Sequence, residues 1–461
     1  MSREDDPEPI TIALEIEDAV LADRVAALLA GVPGIRLVTP GEITDLVLAL
    51  PGPLAMSEEN APLTVRELEV LGMLAEGASN KMIAQRLGIS VHTAKFHVGS
   101  LLDKLDATGR VQLVIYAYET NLVGGNDGII FDGSSLVADA EGDIILQAPS
   151  FTEWVETVEI DNAKPDSRGI TGVECETIRQ ALVLGIRDYA QKNRFTKCLL
   201  GLSGGIDSAL VTTLAAEALG AENVLAVMMP SPFSSEGSVK DSETLAANLG
   251  IQTRIESISE AFEVLLQQLH LHKPTHGGES LAAENMQSRL RGVILMTISN
   301  AEGRLLLSTG NKSELAVGYC TLYGDTNGGL AVLGDLLKTE VWALSQHIND
   351  SAGREIIPQA IIEKKPSAEL APNQFDQDSL PPYEAMDPIL KLYFEQKFAP
   401  DEIISEGHDP QLVYSLLNKV EAPANEFKRR QLPPTLIISR NAIGIGRRRP
   451  VTHRYRRALK E

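Results

Sequence analysis

Residues 201 to 208 carry the strongest chemical signal in the chain, and they read Gly-Leu-Ser-Gly-Gly-Ile-Asp-Ser. An apolar run ends at Leu200, and an apolar helical pattern begins at Ala209. The segment therefore predicts a strand, a glycine turn and the start of a helix. Glycines let a backbone approach a phosphate closely, and the N–H groups at a helix N-terminus point toward anions. We expect this loop to bind phosphate.

Polar side chains in the same loop suit a nucleotide. Ser203 and Ser208 supply hydroxyl groups, and Asp207 supplies a carboxylate that can hold Mg²⁺ against phosphates. The spacing differs from Gly-x-x-x-x-Gly-Lys-Ser/Thr, which excludes the ordinary P-loop. The alternative is a glycine-rich turn that precedes a helix and binds nothing.

Length and composition bound the other possibilities. The 461 residues predict roughly two to four domains, and no apolar run approaches the length of a membrane span. The N-terminal residues are acidic where a signal peptide would be basic, so we expect a cytoplasmic protein. The three cysteines have no metal-like spacing and are too few for a disulfide framework.

The formal net charge of −22 is unevenly distributed. Residues 1–61 are strongly acidic and residues 428–461 strongly basic. A chain this acidic does not bind nucleic acid non-specifically as a whole, so any contact with DNA must come from a local surface. The basic C-terminal residues fit either a nucleic-acid patch or packing and substrate-phosphate contacts.

Residues 1–50 alternate short apolar runs with one helical pattern, which predicts a small α/β segment. They resemble the opening part of a response-regulator receiver, in a shortened form. Glu17 and Asp18 stand where a receiver has its acidic pair, but Ala49 stands where the phosphorylated Asp would be. The resemblance therefore implies a remnant without phosphotransfer, and an unrelated α/β cap is the alternative. Residues 51–61 are rich in proline and read as a linker.

Residues 62–118 predict an all-α module. The three helical patterns cover 65–75, 79–87 and 90–105. The stretch from Asn80 to His97 resembles the helix-turn-helix of LuxR-type regulators, whose second motif helix enters the major groove. That resemblance implies that Thr93, Lys95 and His97 face DNA. A small helical bundle that binds nothing is the alternative, because the module has almost no net charge to attract DNA.

Residues 119–160 resemble the end of a nitrilase-like glutaminase domain, including a hairpin over Leu136–Leu146. In glutamine-dependent NAD⁺ synthases that domain precedes the synthetase, and its catalytic Glu, Lys and Cys would lie before Asn121. The helical module occupies that position here, and the first cysteine is Cys175. The resemblance implies a C-terminal glutaminase fragment without its nucleophile. A genuine fusion and a composite gene model both remain open.

Residues 170–461 resemble the synthetase domain of glutamine-dependent NAD⁺ synthase. Further motifs accompany the Ser-Gly-Gly loop in family order. They are Met229–Glu236, Asp241–Leu249, Glu284–Arg291, Ser308–Glu314, Tyr323–Asp325, Leu333–Lys338, and Pro366–Leu370 together with Asp376 and Leu380–Tyr383. The resemblance implies an α/β parallel-sheet fold of the ATP-pyrophosphatase type, also called adenine nucleotide alpha hydrolase-like. The motifs at 309–314 and 366–370 are not those of GMP synthetases, asparagine synthetases or tRNA-thiolating enzymes.

The implied reaction is ATP-dependent amidation of deamido-NAD (nicotinic acid adenine dinucleotide) to NAD⁺, with AMP and pyrophosphate as by-products. A carboxylate resists attack by an amine, so ATP first converts it to an acyl-adenylate. Charge then develops on the phosphate oxygens, which requires Mg²⁺ and a cation. We expect Asp207 and Lys338 to be catalytic and Asp207 and Glu314 to hold the metal. No general base is apparent, and free ammonia is the expected nitrogen donor in preference to glutamine.

The remaining site assignments follow from the same resemblance. The residues that it assigns to ATP are Gly201, Leu202, Ser203, Gly204, Gly205, Ile206, Asp207, Ser208 and Thr309. Asn285, Glu314 and Lys428 match residues that bind the dinucleotide substrate. We further expect a homodimer or higher homo-oligomer and no membrane partner. The alternative function is a DNA-binding regulator whose synthetase domain senses a nucleotide.

Overall fold

The computed structural model describes residues 10–15, 35–38, 46–49, 70, 80–104, 124–126, 128–138, 142–152, 154, 174–275, 281–443 and 448–457. The chain forms two compact units, one of residues 1–74 and 78–114 and the other of residues 75–77 and 115–461. Within the described ranges, no helix combines the length and apolar character needed to cross a bilayer.

The first unit contains a small parallel sheet. Its strands are β1 (Ile10–Glu15), β2 (Ile35–Val38) and β3 (Leu46–Ala49). They lie in the order β2-β1-β3, and both neighbours run parallel to β1. The predicted alternation of short strands is confirmed. The predicted helix over 20–29 and the acidic pair at 17 and 18 lie outside the described residues.

The same unit contains a helix-turn-helix. Helix α1 covers Asn80–Arg86 and helix α2 covers Val91–Lys104. The turn contains Gly88 with a φ of +62°, a left-handed conformation that glycine adopts without strain. Ile83 and Ala94 are fully buried where the two helices pack. Two of the three predicted helices are thus confirmed; the pattern over 65–75 falls outside the described residues except for the buried, helical Val70.

Two antiparallel hairpins precede a long helix in the second unit, and the first hairpin packs on that helix. They consist of β4 (Gly124–Asn126) with β5 (Ile129–Phe131) and β6 (Leu136–Ala138) with β7 (Ile144–Gln147), followed by α3 (Glu174–Lys192). The Gly125 N–H donates to the Asp188 carboxylate of α3 at 2.6 Å. The Ile437 N–H donates to the Gly128 carbonyl at 2.7 Å, which joins the hairpin to a distant part of the unit. The hairpin predicted over 136–146 is confirmed.

The rest of the second unit is an α/β domain. Its strands are β8 (Cys198–Gly201), β9 (Val224–Met228), β10 (Gln252–Ile255), β11 (Leu305–Ser308) and β12 (Leu330–Ala331). Its helices are α4 (Ile206–Leu219), α5 (Glu236–Leu249), α6 (Ser259–Gln268), α7 (Leu281–Glu302), α8 (Lys312–Val317), α9 (Lys338–Ala352), α10 (Gln359–Glu363), α11 (Tyr383–Phe394), α12 (Pro400–Ser405), α13 (Pro410–Val420) and α14 (Pro423–Arg429).

The five strands form a parallel sheet in the order β10-β9-β8-β11-β12. The chain moves outward from β8 to β10, then crosses back and adds β11 on the other side of β8. This reversal is a topological switch point, and ligands of open α/β sheets bind beside the carboxyl ends of the strands there. The predicted parallel-sheet α/β fold is confirmed.

Alternate side chains of β8 enter two different cores, as the pleat of a strand requires. Leu200 packs with residues of α3, α4 and α9, whereas Leu199 packs with Leu306 of β11 and with α7. Helices therefore cover both faces of the sheet, which is why the central strands β8, β9 and β11 are mostly apolar. The edge strand β10 reads Gln-Thr-Arg-Ile and is largely exposed. A separate cluster joins α8, α11 and α13 and fixes the segment that carries Glu314.

Candidate active site

The Ser-Gly-Gly loop is rigid and leads directly from β8 into α4. Gly204 has a φ of +75°, and a Cβ there would lie 2.4 Å from the Ser238 carbonyl oxygen, so only glycine fits. The Ser203 hydroxyl accepts from the Gly205 N–H at 3.2 Å, and the Ser208 hydroxyl donates to the Gly205 carbonyl at 2.9 Å. The N–H groups of the first turn of α4 have no carbonyl within their own helix to bond, so they remain suited to an anion.

A cavity of about 290 Å³ opens beside this loop, between the carboxyl ends of β8 and β11. The structure brings most of the expected ATP-binding residues to its wall, which are Gly201, Leu202, Ser203, Gly205, Ile206, Asp207, Ser208 and Thr309. Gly204 packs behind the loop, against Ser238. The cavity therefore coincides with the switch point of the sheet, where the topology alone would place a ligand.

Lys338 lies at the centre of the polar side of the cavity and is almost fully buried. Its ammonium group donates to the carboxylate of Asp207 and, at 3.3 Å, to that of Glu314. The Asn311 amide donates to Asp207 at 2.9 Å, while its oxygen accepts from the Glu314 N–H at 3.0 Å and caps α8. One asparagine thus bonds the Asp207 carboxylate and caps the helix that carries Glu314.

Burial and the charge of neighbouring groups have opposing effects on the pKa values of Glu314 and Lys338. Burial raises the pKa of Glu314 to about 8, with Asp207 adding to the rise and Lys338 opposing it. Burial alone would lower the pKa of Lys338, but the charges of Asp207 and Glu314 outweigh burial and raise it. Lys338 is therefore held in its charged form, whereas burial favours the protonated form of Glu314.

The donor set fits a magnesium ion carried by a nucleotide. Mg²⁺ is commonly held by one or two carboxylates together with substrate phosphates, and Asp207 and Glu314 supply two carboxylates beside the phosphate loop. The described residues contain no cluster of three or more His, Cys, Asp or Glu side chains that could hold a metal ion without such a nucleotide.

A second group of cations lines the same cavity. Lys364 and Lys365 line the cavity, and Lys364 donates to the Glu369 carboxylate at 3.1 Å. Glu369 also accepts from the Ser238 hydroxyl at 2.6 Å, at the start of α5. Arg291 lines the cavity from α7, and burial lowers its pKa to about 10, so it remains charged at neutral pH. Sequence reasoning assigned no role to the two lysines.

Asn285 and Lys428 do not line the cavity; they hold a loop that does. Lys428 donates to the carbonyls of Gly318 and Cys320, both at 2.7 Å. Asn285 accepts from the Thr321 hydroxyl at 2.8 Å. The loop between α8 and Thr321 contributes Tyr319 and Cys320 to the cavity wall. The structure therefore places both residues behind the cavity wall.

Asp376 was missed as a site residue, although its motif was noted. It lines the cavity, is 4% exposed, and accepts from the Tyr383 hydroxyl at 2.8 Å. Nothing in its local sequence separates it from the exposed Asp378 two residues later. Only the fold, which buries one of the two carboxylates, distinguishes them.

The three cysteines are free, and burial raises the pKa of each thiol. The pKa rises to about 12 for Cys198 and for Cys320. A nucleophilic cysteine requires the opposite shift, because the thiolate is the reactive form. Cys198 is also fully buried within β8.

The predicted DNA-facing residues lie on α2 in the other unit. Lys95 is exposed, whereas Thr93 and His97 are half-buried. The Thr93 hydroxyl bonds that of Ser90 at 2.8 Å at the start of the helix. Phe96, between Lys95 and His97, is 71% exposed. Among its described side chains, the helix thus presents an exposed lysine and a large exposed aromatic ring.

Family models place both units among known proteins. The model described as NAD synthase matches residues 178–433, more than half of the chain. The chain belongs to the NAD synthase family. The model described as bacterial regulatory proteins, luxR family, matches residues 61–117, which confirms the predicted helix-turn-helix resemblance.

Curated relatives of this NAD synthase family member are glutamine-dependent NAD⁺ synthetases. The protein from Synechocystis is 46% identical over 73% of this chain, which covers 60% of the relative. The protein from Thermotoga maritima is 40% identical over 81% of this chain and 72% of its own length. The chain thus spans between three fifths and three quarters of these two relatives.

A solved structure supports the fold. The crystal structure of a glutamine-dependent NAD⁺ synthetase from Cytophaga hutchinsonii matches with a TM-score of 0.60 at 20% identity. The match covers 72% of this chain and 62% of that one. At this identity the likeness concerns the fold, and it agrees with the parallel sheet described above.

Proposed function

We propose that the second unit amidates deamido-NAD to NAD⁺ with ATP and ammonia, through an acyl-adenylate, and releases AMP and pyrophosphate. The observation that carries the proposal is the Asp207–Lys338–Glu314 group beside a glycine loop at the switch point of the sheet. Membership of the NAD synthase family supports the same reaction class.

The cavity residues have different roles in the proposed reaction, according to where they lie. The phosphate loop holds the α-phosphate of ATP near the start of α4, where N–H groups and the helix dipole favour negative charge. Lys338 neutralises charge that develops on the phosphate oxygens as pyrophosphate leaves, and Lys364 and Lys365 receive the pyrophosphate. Asp207 and Glu314 would hold Mg²⁺, which supplies further charge neutralisation when it is bound.

Asn285 and Lys428 support the dinucleotide site by holding the loop that bears Tyr319 and Cys320. We infer that the nicotinate carboxylate enters on this side, opposite the phosphate loop. A homodimer or higher homo-oligomer, which the family resemblance implies, stays a prediction. The three free thiols fit a reducing compartment, and we infer that the protein acts in the cytoplasm.

The test is a complete product balance. The purified chain receives deamido-NAD, ATP, Mg²⁺ and ammonium, and NAD⁺, AMP and pyrophosphate are quantified together. The proposal expects the three products in equal amounts. ADP and phosphate in place of AMP and pyrophosphate would contradict the acyl-adenylate route, and absence of NAD⁺ would contradict the reaction itself.

A second function, DNA binding, is favoured by the luxR-family match and by the exposed Lys95 on α2. We propose that α2 enters the major groove, with Thr93, Lys95 and His97 toward the bases or phosphates. If the chain is a regulator, the synthetase unit senses its nucleotide and need not turn it over. Turnover of deamido-NAD without any DNA shift would exclude the regulator.

A further inference from the structure

Phe96 on α2 is the most exposed large apolar side chain among the described residues, at 71%. Its ring meets the His97 ring edge-on, with the centroids 6.0 Å apart and the planes at 71°, a favoured arrangement for aromatic pairs. His97 therefore contacts the ring but leaves most of it exposed. A single exposed apolar side chain is ordinary on a protein surface, so its position on the helix decides whether it has a role.

Phe96 lies at the centre of the outward face of α2. Ala94 is fully buried and Val98 is 7% exposed, so these two residues mark the inward face. A helix turns by about 100° per residue, which places Phe96 roughly 160° round the axis from each of them. Lys95 and His97 flank it, one on either side. If α2 enters a groove, Phe96 is the side chain that points most directly at the floor of that groove.

The helix pair that carries Phe96 is positively charged, although the module as a whole has almost no net charge. Residues 80–104 contain four basic side chains and one acidic side chain. Lys81, Arg86 and Lys95 are exposed. Such cations are attracted to phosphates, so the charge of the helix-turn-helix complements a DNA backbone. This complementarity favours DNA over an apolar protein surface as the partner of the exposed ring.

An apolar ring can recognise one group on the floor of the major groove. The base edges there present hydrogen-bond donors and acceptors, and thymine alone adds an apolar group, its C5-methyl. A phenyl ring forms no hydrogen bond with the polar edges of the other bases, and it would desolvate them without compensation. A phenylalanine at this position therefore selects thymine.

We propose that Phe96 determines the sequence specificity of α2 by packing its ring on the C5-methyl group of a thymine in the major groove. The inference rests on the DNA binding proposed above and adds the base that is read. Lys95, at the side of the same face, contacts a phosphate on the wall of the groove. Affinity and base choice thus depend on two neighbouring residues, which separate variants can test.

The test compares thymine with deoxyuridine, which lacks only the methyl group. A random duplex pool is selected on the full chain, and each thymine of the best-bound duplex is then replaced by deoxyuridine in turn. Electrophoretic shifts should show about a three- to fivefold loss of affinity at one or more positions, the effect expected for burial of one methyl group.

Two variants of the full chain assign that effect to a residue. Phe96→Ala should bind the thymine and deoxyuridine duplexes equally and keep the wild-type salt dependence, because no phosphate contact is lost. Lys95→Ala should bind both duplexes more weakly and keep the wild-type preference for thymine. Phe96 is exposed, so its truncation leaves the packing of α1 on α2 intact. Low salt keeps both variants bound through their remaining phosphate contacts.

The outcomes separate this inference from the DNA binding on which it rests. Wild-type binding that no deoxyuridine weakens would overturn the inference and leave the exposed ring for a protein partner. A thymine preference that survives in Phe96→Ala would overturn it too. Absence of binding to every duplex of the pool by the wild type, even at low salt, would overturn the proposed DNA binding, and this inference with it.

Discussion

Lys338 is the residue on which the proposed chemistry of the second unit depends most. Its ammonium group joins Asp207 to Glu314, and its backbone N–H donates to the Ser313 hydroxyl at 2.9 Å. A buried cation of this kind is stable only while its acidic partners remain, because an unpaired buried charge costs several kcal/mol. Removal of either acid therefore affects both catalysis and the position of the lysine.

Asp207→Asn should lower NAD⁺ formation by about 10²- to 10³-fold, because neutralising this carboxylate weakens the hold on Mg²⁺-ATP. Exchange of labelled pyrophosphate into ATP and NAD⁺ formation should fall together, because both require the bound nucleotide. Glu217→Gln is the matched control, since Glu217 lies on the same helix and is exposed. Near-normal turnover of Asp207→Asn would show that the loop does not carry the nucleotide as proposed.

Residue-level inference from the sequence succeeded where the signal was local. The loop residues adjoin one another in the chain. Their glycines and hydroxyl groups are sufficient to predict a phosphate site without knowledge of the fold. Asp376 and Tyr383 come from a turn and a helix far along the chain, and their role depends on burial that only folding creates. For Asn285 and Lys428, the position near the site was predictable, but their bonds to the loop backbone were not.

At the scale of elements, the β8–loop–α4 unit depends on one glycine conformation. Helix α4 is buried over most of its surface, so it cannot move to relieve a change in the loop. The sequence was sufficient to predict this strand and helix because their apolar runs are continuous. The close approach of Gly204 to Ser238 is a tertiary contact and was not predictable.

Gly204→Ala should destabilise the second unit by more than Gly250→Ala. Both glycines are left-handed, with φ of +75° and +70°, so both substitutions strain the backbone by about 1 kcal/mol. A Cβ at Gly204 additionally meets the Ser238 backbone at 2.4 Å, whereas nothing lies within 4 Å at Gly250. Denaturant unfolding and NAD⁺ formation would measure the difference. Equal losses of stability in the two variants would mean that the loop accommodates the added Cβ at little cost in free energy.

Helix α2 is the second element with a testable role. Lys95→Ala should weaken binding to DNA duplexes and reduce the slope of log affinity against log salt by about one, because one phosphate contact is lost. Lys240→Ala removes an exposed lysine from the synthetase unit and serves as the control for net charge. Electrophoretic shifts at several salt concentrations measure both variants. Equal binding by wild type and Lys95→Ala would place the DNA-contacting surface elsewhere.

At the scale of the whole molecule, the formal net charge of −22 opposes the binding of polyphosphates. The cavity therefore needs its own cations, and Lys338, Lys364, Lys365 and Arg291 supply them locally. The family and the fold of the larger unit were predictable, because many motifs occur in order over more than half of the chain. Residues 1–50 contain no such series of motifs, so the sequence leaves a receiver remnant and an unrelated α/β cap as the two alternatives.

The purified chain should use ammonia and not glutamine. Glutamine hydrolysis needs an activated thiolate, and burial raises the pKa of Cys175, Cys198 and Cys320, which disfavours that form. The rate should rise with pH as the free base of ammonia becomes available. NAD⁺ and glutamate are quantified with each donor. Glutamine-supported synthesis with matching release of glutamate would contradict the prediction.

The hairpin of β4 and β5 has a consequence for where this ligase can be divided. Gly185 of α3 packs so closely against Leu436 and Ile130 that an added Cβ would lie within 3.1 Å of both. A chain severed at residue 170 would bare this flank and strip Asp188 and Ile437 of their backbone partners. The part of the chain that the second unit needs for stable folding therefore begins before residue 170, ahead of the residues that form the cavity. The segment that contains β4 and β5 is expected to be needed for a stable second unit, although none of its described residues lines the cavity.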